Sequence, residues 1–156
     1  MKTLILYATK HGASAEIARR IASRIDGAVV HDLKQGGVPS LEGFGCVIVG
    51  GSLYAGMVRK EAKSFVTQNI AALRGKRLGL FLSGLDGSKE KEYFDANFPA
   101  EIMRAVKAAS FLGGIFDPKK AGVFGRLVMR IVSKQAAFTD AVDDVKIAEF
   151  AEVMRS

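Results

Sequence analysis

The chain has 156 residues, 49% hydrophobic and 25% charged, with a formal net charge of +7 and an isoelectric point near 9.7. That length suits a single domain, 1–156, with a substantial core. A lone cysteine, Cys46, excludes an intramolecular disulfide, two histidines with no Cys/His cluster exclude a zinc-type site, and no apolar run is long enough to span a bilayer.

The apolar run after Met1-Lys2 is cut by Lys10 and His11 before it reaches the length of a signal-peptide core. The expected location is therefore cytoplasmic, with peripheral contact to an anionic membrane as an option that the basic charge favours. The same charge points to an acidic protein or anionic lipid as partner, and nucleic acid is not expected.

Leu4, Ile5, Leu6 and Tyr7 form an apolar run without clean alternation, the pattern of a strand covered on both faces in a parallel sheet. Thr9, Lys10, His11, Gly12, Ala13 and Ser14 follow it, and then a helical pattern begins. Small and hydroxyl-bearing residues there can direct N–H and O–H groups at phosphate oxygens where a helix dipole favours an anion. The alternative is an ordinary strand-to-helix turn with Ser14 as helix cap. The chain has neither Gly-x-x-x-x-Gly-Lys-Ser/Thr nor Gly-x-Gly-x-x-Gly after this first strand.

Ile17, Ile21, Ala22 and Ile25 recur at helical spacing, so residues 14–25 read as an amphipathic helix. Residues 28–33 read as a second strand, with His31 at its end as a surface residue, and residues 34–43 as a Gly- and Pro-containing connection. The third strand, 46–50, runs into a loop at 51–57 that holds Ser52, Leu53, Tyr54, Ala55 and Gly56. Tyr54 either stacks on a planar ring or is a partly buried loop tyrosine.

A helix is predicted over 60–73 and a fourth strand over 77–82. The loop after it, which includes Ser83, Gly84, Leu85 and Asp86, can reach a ring edge by hydrogen bonds or can be a plain turn. Residues 89–107 read as helix interrupted at Pro99, and 109–116 as a fifth strand with Gly113-Gly114 inside or ending it. A basic connection, 117–122, precedes an amphipathic basic helix at 123–134, which can pack on the sheet or lie on an anionic membrane. The last helix spans 141–155, with Asp140, Asp143 and Asp144 near its positive end.

Five alternations of strand and helix argue an α/β doubly wound sheet with helices on both faces. In such a sheet a ligand sits outside the carboxyl ends of the strands where the strand order reverses, beside the loops after strands 1 and 3. A response-regulator version would need acidic residues where this chain has Thr9, Lys10, Gly50 and Gly51, and fails on chemistry.

The first loop resembles the flavodoxin fingerprint, an aliphatic strand ending in an aromatic and then Thr-x-x-Gly-x-Thr with Ala four places on. Tyr7, Thr9, Gly12, Ser14 and Ala18 occupy those places, with Ser14 for the usual Thr. Residues 50–56, 111–114, the basic stretch near Arg126, Thr139-Asp140, Asp143-Asp144, Ile147, Phe150 and Ala151 resemble a group of flavodoxin domains that includes the menaquinone-dependent protoporphyrinogen oxidases.

The resemblance implies a flavodoxin-like three-layer sandwich, with a five-stranded parallel sheet in the order 2-1-3-4-5, and FMN as cofactor. It implies phosphate binding at the first loop, chiefly Thr9, His11, Gly12, Ala13 and Ser14 with Lys10 beside them. It implies a flavin ring lined by Ser52, Leu53, Tyr54, Ala55 and Gly56 and closed by Ser83, Gly84, Leu85 and Asp86. The implied activity is an FMN-dependent oxidoreductase that exchanges electrons with an acidic redox protein or a quinone; a flavodoxin-type carrier without its own substrate, or a non-redox module that has lost FMN, are the alternatives. No catalytic side chain and no metal ligand are assigned. Two features depart from the pattern: Lys10 and His11 place charge in a loop many flavodoxins keep neutral, and the loop after strand 4 lacks the aromatic that commonly covers the ring.

Overall fold

A computed structural model describes residues 1–117 and 139–156. Its centre is a parallel sheet of β1 (Thr3–Ala8), β2 (Val29–Asp32), β3 (Cys46–Tyr54), β5 (Arg77–Ser83) and β6 (Ala108–Phe111) in the order β2-β1-β3-β5-β6. Counting parallel strands alone, this is the expected order 2-1-3-4-5. A two-residue strand, β4 (Met57–Val58), pairs antiparallel with the end of β3.

Alternate residues of each central strand serve opposite faces. Leu4, Leu6 and Ala8 of β1, Val47 and Val49 of β3, and Leu78, Leu80 and Leu82 of β5 build one core. Helices α2 (Lys60–Gln68), α3 (Ile70–Arg74), α4 (Glu90–Asn97) and α5 (Ala100–Ala105) cover it through Ala62, Val66, Leu73, Phe94 and Ile102. Ile5, Cys46, Ile48 and Phe81 point the other way, under Ile17 and Ile21 of α1 (Ala13–Ala22) and Ile147, Phe150 and Met154 of α6 (Asp144–Arg155). Strands buried on both faces explain why the apolar runs show no alternation.

Phe81 is fully buried beside its register partner Gly50, where an added Cβ would lie 2.1 Å from the ring. The glycine at the end of the third apolar run is therefore a packing requirement. Cys46 is fully buried and its thiol is pushed up by burial, as expected for a reduced, unreactive sulfur.

Several elements differ from their sequence-based outlines, among them the first helix, which ends at Ala22 rather than 25. The helix expected over 60–73 breaks at Asn69, whose side-chain amide donates to the Phe65 carbonyl at 2.8 Å and takes the place of a helical bond while the backbone turns. The strand expected over 109–116 stops at Phe111, because Gly113 adopts φ 87° and the chain reverses into a separate pair, β7 (Ile115–Phe116) with β8 (Thr139–Asp140). The final helix starts at Asp144, capped by the Asp143 carboxylate, which accepts from the Lys146 N–H at 3.0 Å.

Pro99 acts as expected: Phe98 is extended at φ −125°, ψ 146°, and α5 begins directly after the proline. The basic helix predicted at 123–134, with most of the connection before it, lies outside the described residues. Among the described residues no helix is long and apolar enough to cross a membrane.

Candidate functional site

Three loops meet at the carboxyl edge of the central strands. The first, between β1 and α1, turns at Gly12, which is the N-cap of α1 in the left-handed region at φ 98°. A side chain there would cost about 1–2 kcal/mol. Glycine also supplies no capping side chain, so the positive dipole end of α1 receives no side-chain cap from this position. Thr9 Oγ1 accepts from the Gly12 N–H at 2.8 Å, which braces the loop and leaves the Thr9 hydroxyl proton to donate.

Ser14 is not the cap of this helix. It lies in the first turn, fully buried, with its Oγ 2.7 Å from the Oγ of Ser83, which is also fully buried. The pair joins the first loop to the end of β5.

The second loop is a β-hairpin. β3 continues past its expected end at Gly50 to Tyr54, turns through Ala55 (φ 50°) and Gly56 (φ 77°), and returns as β4. Two successive positive φ values are the signature of a type I′ turn, whose twist matches paired strands. The side chain of Asn97 fixes the turn: its Oδ1 accepts from the Val58 N–H at 2.9 Å, and its Nδ2 donates to the carbonyls of Gly56 and Tyr93, each at 2.8 Å. Asn97 is only 1% exposed.

The hairpin presents Tyr54 (58% exposed) opposite Met57 (52% exposed). Lys10, from the first loop, places its Nζ 5.1 Å from the centroid of the Tyr54 ring, within cation–π range. At the base of the hairpin the Arg59 N–H donates to the Ser52 carbonyl at 3.0 Å, and Arg59 Nε faces Glu61 Oε2 at 3.7 Å.

The third loop leaves β5 at Ser83, the register partner of Ser52. Gly84 donates its N–H to the Gly113 carbonyl at 3.0 Å, and Gly114 lies so close that an added Cβ would sit 2.4 Å from the Gly84 oxygen. Gly114 therefore seats this loop, whereas Gly113 is required by its φ of 87° and by the Ala141 carbonyl, 2.0 Å from an added Cβ. Asp86 is exposed and accepts from the Ser88 N–H at 2.9 Å; its hydrogen bonds with Ser88 hold its carboxyl below the usual value. Glu90 Oε1 accepts the Phe111 N–H at 2.6 Å and ties the start of α4 to β6.

All fifteen expected site residues fall on these three loops or their borders. The structure joins the first loop to the second through Lys10 and Tyr54, and to the third through Ser14 and Ser83. Asn97 carries no signal in the sequence beyond lying in the helix that Pro99 interrupts, and its role as anchor of the hairpin comes from the fold. Among the described residues no group of three His, Cys, Asp or Glu side chains is placed to hold a metal. A separate depression of about 260 Å³ opens at the opposite, amino edge of the sheet, lined by Met1, Thr3, Arg24, Ile25, Asp26 and Arg155, and takes no part in this arrangement.

The fold and these loops define an open α/β sheet of the class that holds its ligand at the carboxyl ends of the strands. A model of the Flavodoxin domain family matches residues 4–142, and the chain belongs to that family. Among solved structures it is similar to flavodoxin 2 from Bacillus cereus, at 19% identity and TM-score 0.64, with 99% of this chain and 97% of that one covered. It is similar to a short-chain flavodoxin associated with a bacterial microcompartment, at 18% identity and TM-score 0.64, covering 100% and 99%. A flavoprotein in complex with FMN from Lactobacillus acidophilus aligns at 13% identity and TM-score 0.54, covering 70% of this chain and 92% of that one. At such identities the likeness is one of fold. No curated protein matches the chain.

Proposed function

We propose that this chain binds FMN at the carboxyl edge of its sheet and acts as a flavodoxin-type oxidoreductase resembling the menaquinone-dependent protoporphyrinogen oxidases. The observation that carries the cofactor is the N-terminus of α1 behind Gly12, set beside an exposed aromatic on a fixed hairpin.

The residues present fit the group. N–H groups of the first turn, the Thr9 hydroxyl and the Lys10 ammonium suit a phosphate dianion, and Tyr54 offers a ring to stack on. The backbone of residues 52–56 and 83–86 supplies N–H and C=O groups for a ring edge. Bound flavin supplies the electron-transfer chemistry, while the protein binds it, orients it and limits access to its edge.

The enzyme reading is supported by the segments that carry the resemblance. Gly113-Gly114 lies against the third loop at Gly84, and residues 139–143 are bound to it in turn, through the Ala141 N–H to the Gly114 carbonyl at 2.8 Å and the Asp143 N–H to the Leu112 carbonyl at 3.0 Å. The charge of +7 suits a propionate-bearing substrate and an acidic redox partner, or a quinone reached at an anionic membrane. The test is quinone-dependent oxidation of protoporphyrinogen by the FMN-loaded protein, and absence of turnover removes this reading.

A second reading, a carrier without its own substrate, is favoured by one observation: the flavodoxins above match essentially end to end in both directions. A carrier steered by its basic charge is reduced by an acidic partner reductase at a rate that falls steeply with salt. Reduction insensitive to salt counts against such steering.

A further inference from the structure

Lys10 belongs to the loop suited to phosphate, yet its ammonium lies over Tyr54, the ring suited to stacking. One cation thus serves two subsites of the same proposed cofactor. A cation–π contact at an exposed ring is weak, whereas an ammonium paired with a phosphate dianion makes a charge-assisted hydrogen bond. A phosphate group arriving at the first turn of α1 therefore draws Lys10 off the ring and uncovers it. A flavin without phosphate must displace the ammonium into water, with no ion pair to offset the lost contact.

Resting on the FMN reading, we propose that Lys10 is a specificity-determining latch, which makes the Tyr54 ring available to a phosphorylated flavin and withholds it from an unphosphorylated one. The hairpin suits this role because Asn97 holds its turn from behind, so that Tyr54 need not move for the ammonium to leave. Lys10 is exposed, and its replacement disturbs no buried contact.

The test uses the full chain, its K10M and K10R variants, and two kinds of probe. With inorganic phosphate alone at constant ionic strength, the Tyr54 ring proton resonances shift in the wild type and in K10R but not in K10M. With flavins, K10M weakens FMN about five-fold through the lost ion pair. It strengthens riboflavin about two-fold through the uncovered ring, so FMN-over-riboflavin preference falls about ten-fold. K10R restores the preference.

If the wild type binds FMN and K10M keeps the full preference, the latch is overturned while the FMN reading stands. If phosphate moves the Tyr54 resonances equally in wild type and K10M, the latch is likewise overturned. If the wild type binds no FMN, the FMN reading fails and the latch fails with it.

Discussion

Among the contacts that tie the first loop to its neighbours, two are opposite in kind. Ser14 to Ser83 is short, neutral and wholly inside the protein, whereas Lys10 to Tyr54 is charged, longer and exposed to water. The inner contact has no water to replace either partner, so it sets a fixed distance between the end of β5 and the start of α1. The outer contact competes with solvent and with any anion, so it is exchangeable. A site that must hold one end of a ligand rigidly and admit the other needs both.

The largest loss is expected at the support behind the hairpin. Asn97→Ala leaves the buried Val58 N–H without its side-chain partner, at about 1–3 kcal/mol, and the half-buried Gly56 carbonyl without its own, at a smaller cost. Urea unfolding should show a midpoint well below wild type, and an unchanged midpoint would mean that the hairpin needs no anchor.

Next is the inner contact. Ser14→Ala leaves the Ser83 hydroxyl buried and unpartnered and should cost about 1–3 kcal/mol. The double variant Ser14→Ala/Ser83→Ala removes both partners and should be less destabilised than the sum of the two single changes. Additive losses in the double-mutant cycle would show that the two hydroxyls do not stabilise one another.

The outer contact should give the smallest effect on folding. Lys10→Met is expected to change stability by about 0.5 kcal/mol or less while altering ligand preference. A loss comparable to that of Ser14→Ala would erase the distinction between the two contacts.

Much of this architecture was legible in the sequence because its signals are local. The apolar runs of β1, β3 and β5 needed no partner to be read, and Pro99 marked its helix break by sterics alone. Gly12 was placed correctly at the entrance to α1. What stayed hidden depends on contacts between segments distant in the chain. Gly51 was grouped with the ligand loop, but an added Cβ there would lie 2.7 Å from Val58, so close packing suffices to require it. Gly113-Gly114 reads from sequence as lying inside or ending a strand, whereas Gly114 packs on the Gly84 carbonyl and Gly113 on that of Ala141. Residues 51–57 looked like a loop because Gly51, Ser52, Ala55 and Gly56 have low strand propensity, and the hairpin emerges only once Asn97 from α4 satisfies its backbone. Ser14 keeps its backbone in the first turn of α1, where the sequence places it, while its hydroxyl meets Ser83, a partner 69 residues away that no local signal could indicate.

The central claim is that FMN occupies the edge where these three loops meet. Titrating the purified full chain into FMN and following flavin fluorescence tests it directly. Binding should be saturable and one-to-one at micromolar concentrations, with strong quenching as the ring stacks on Tyr54 and marked loss of that quenching in Tyr54→Ala. Unchanged flavin fluorescence, with free FMN recovered quantitatively after gel filtration, would contradict it and leave a flavodoxin-like module without a flavin.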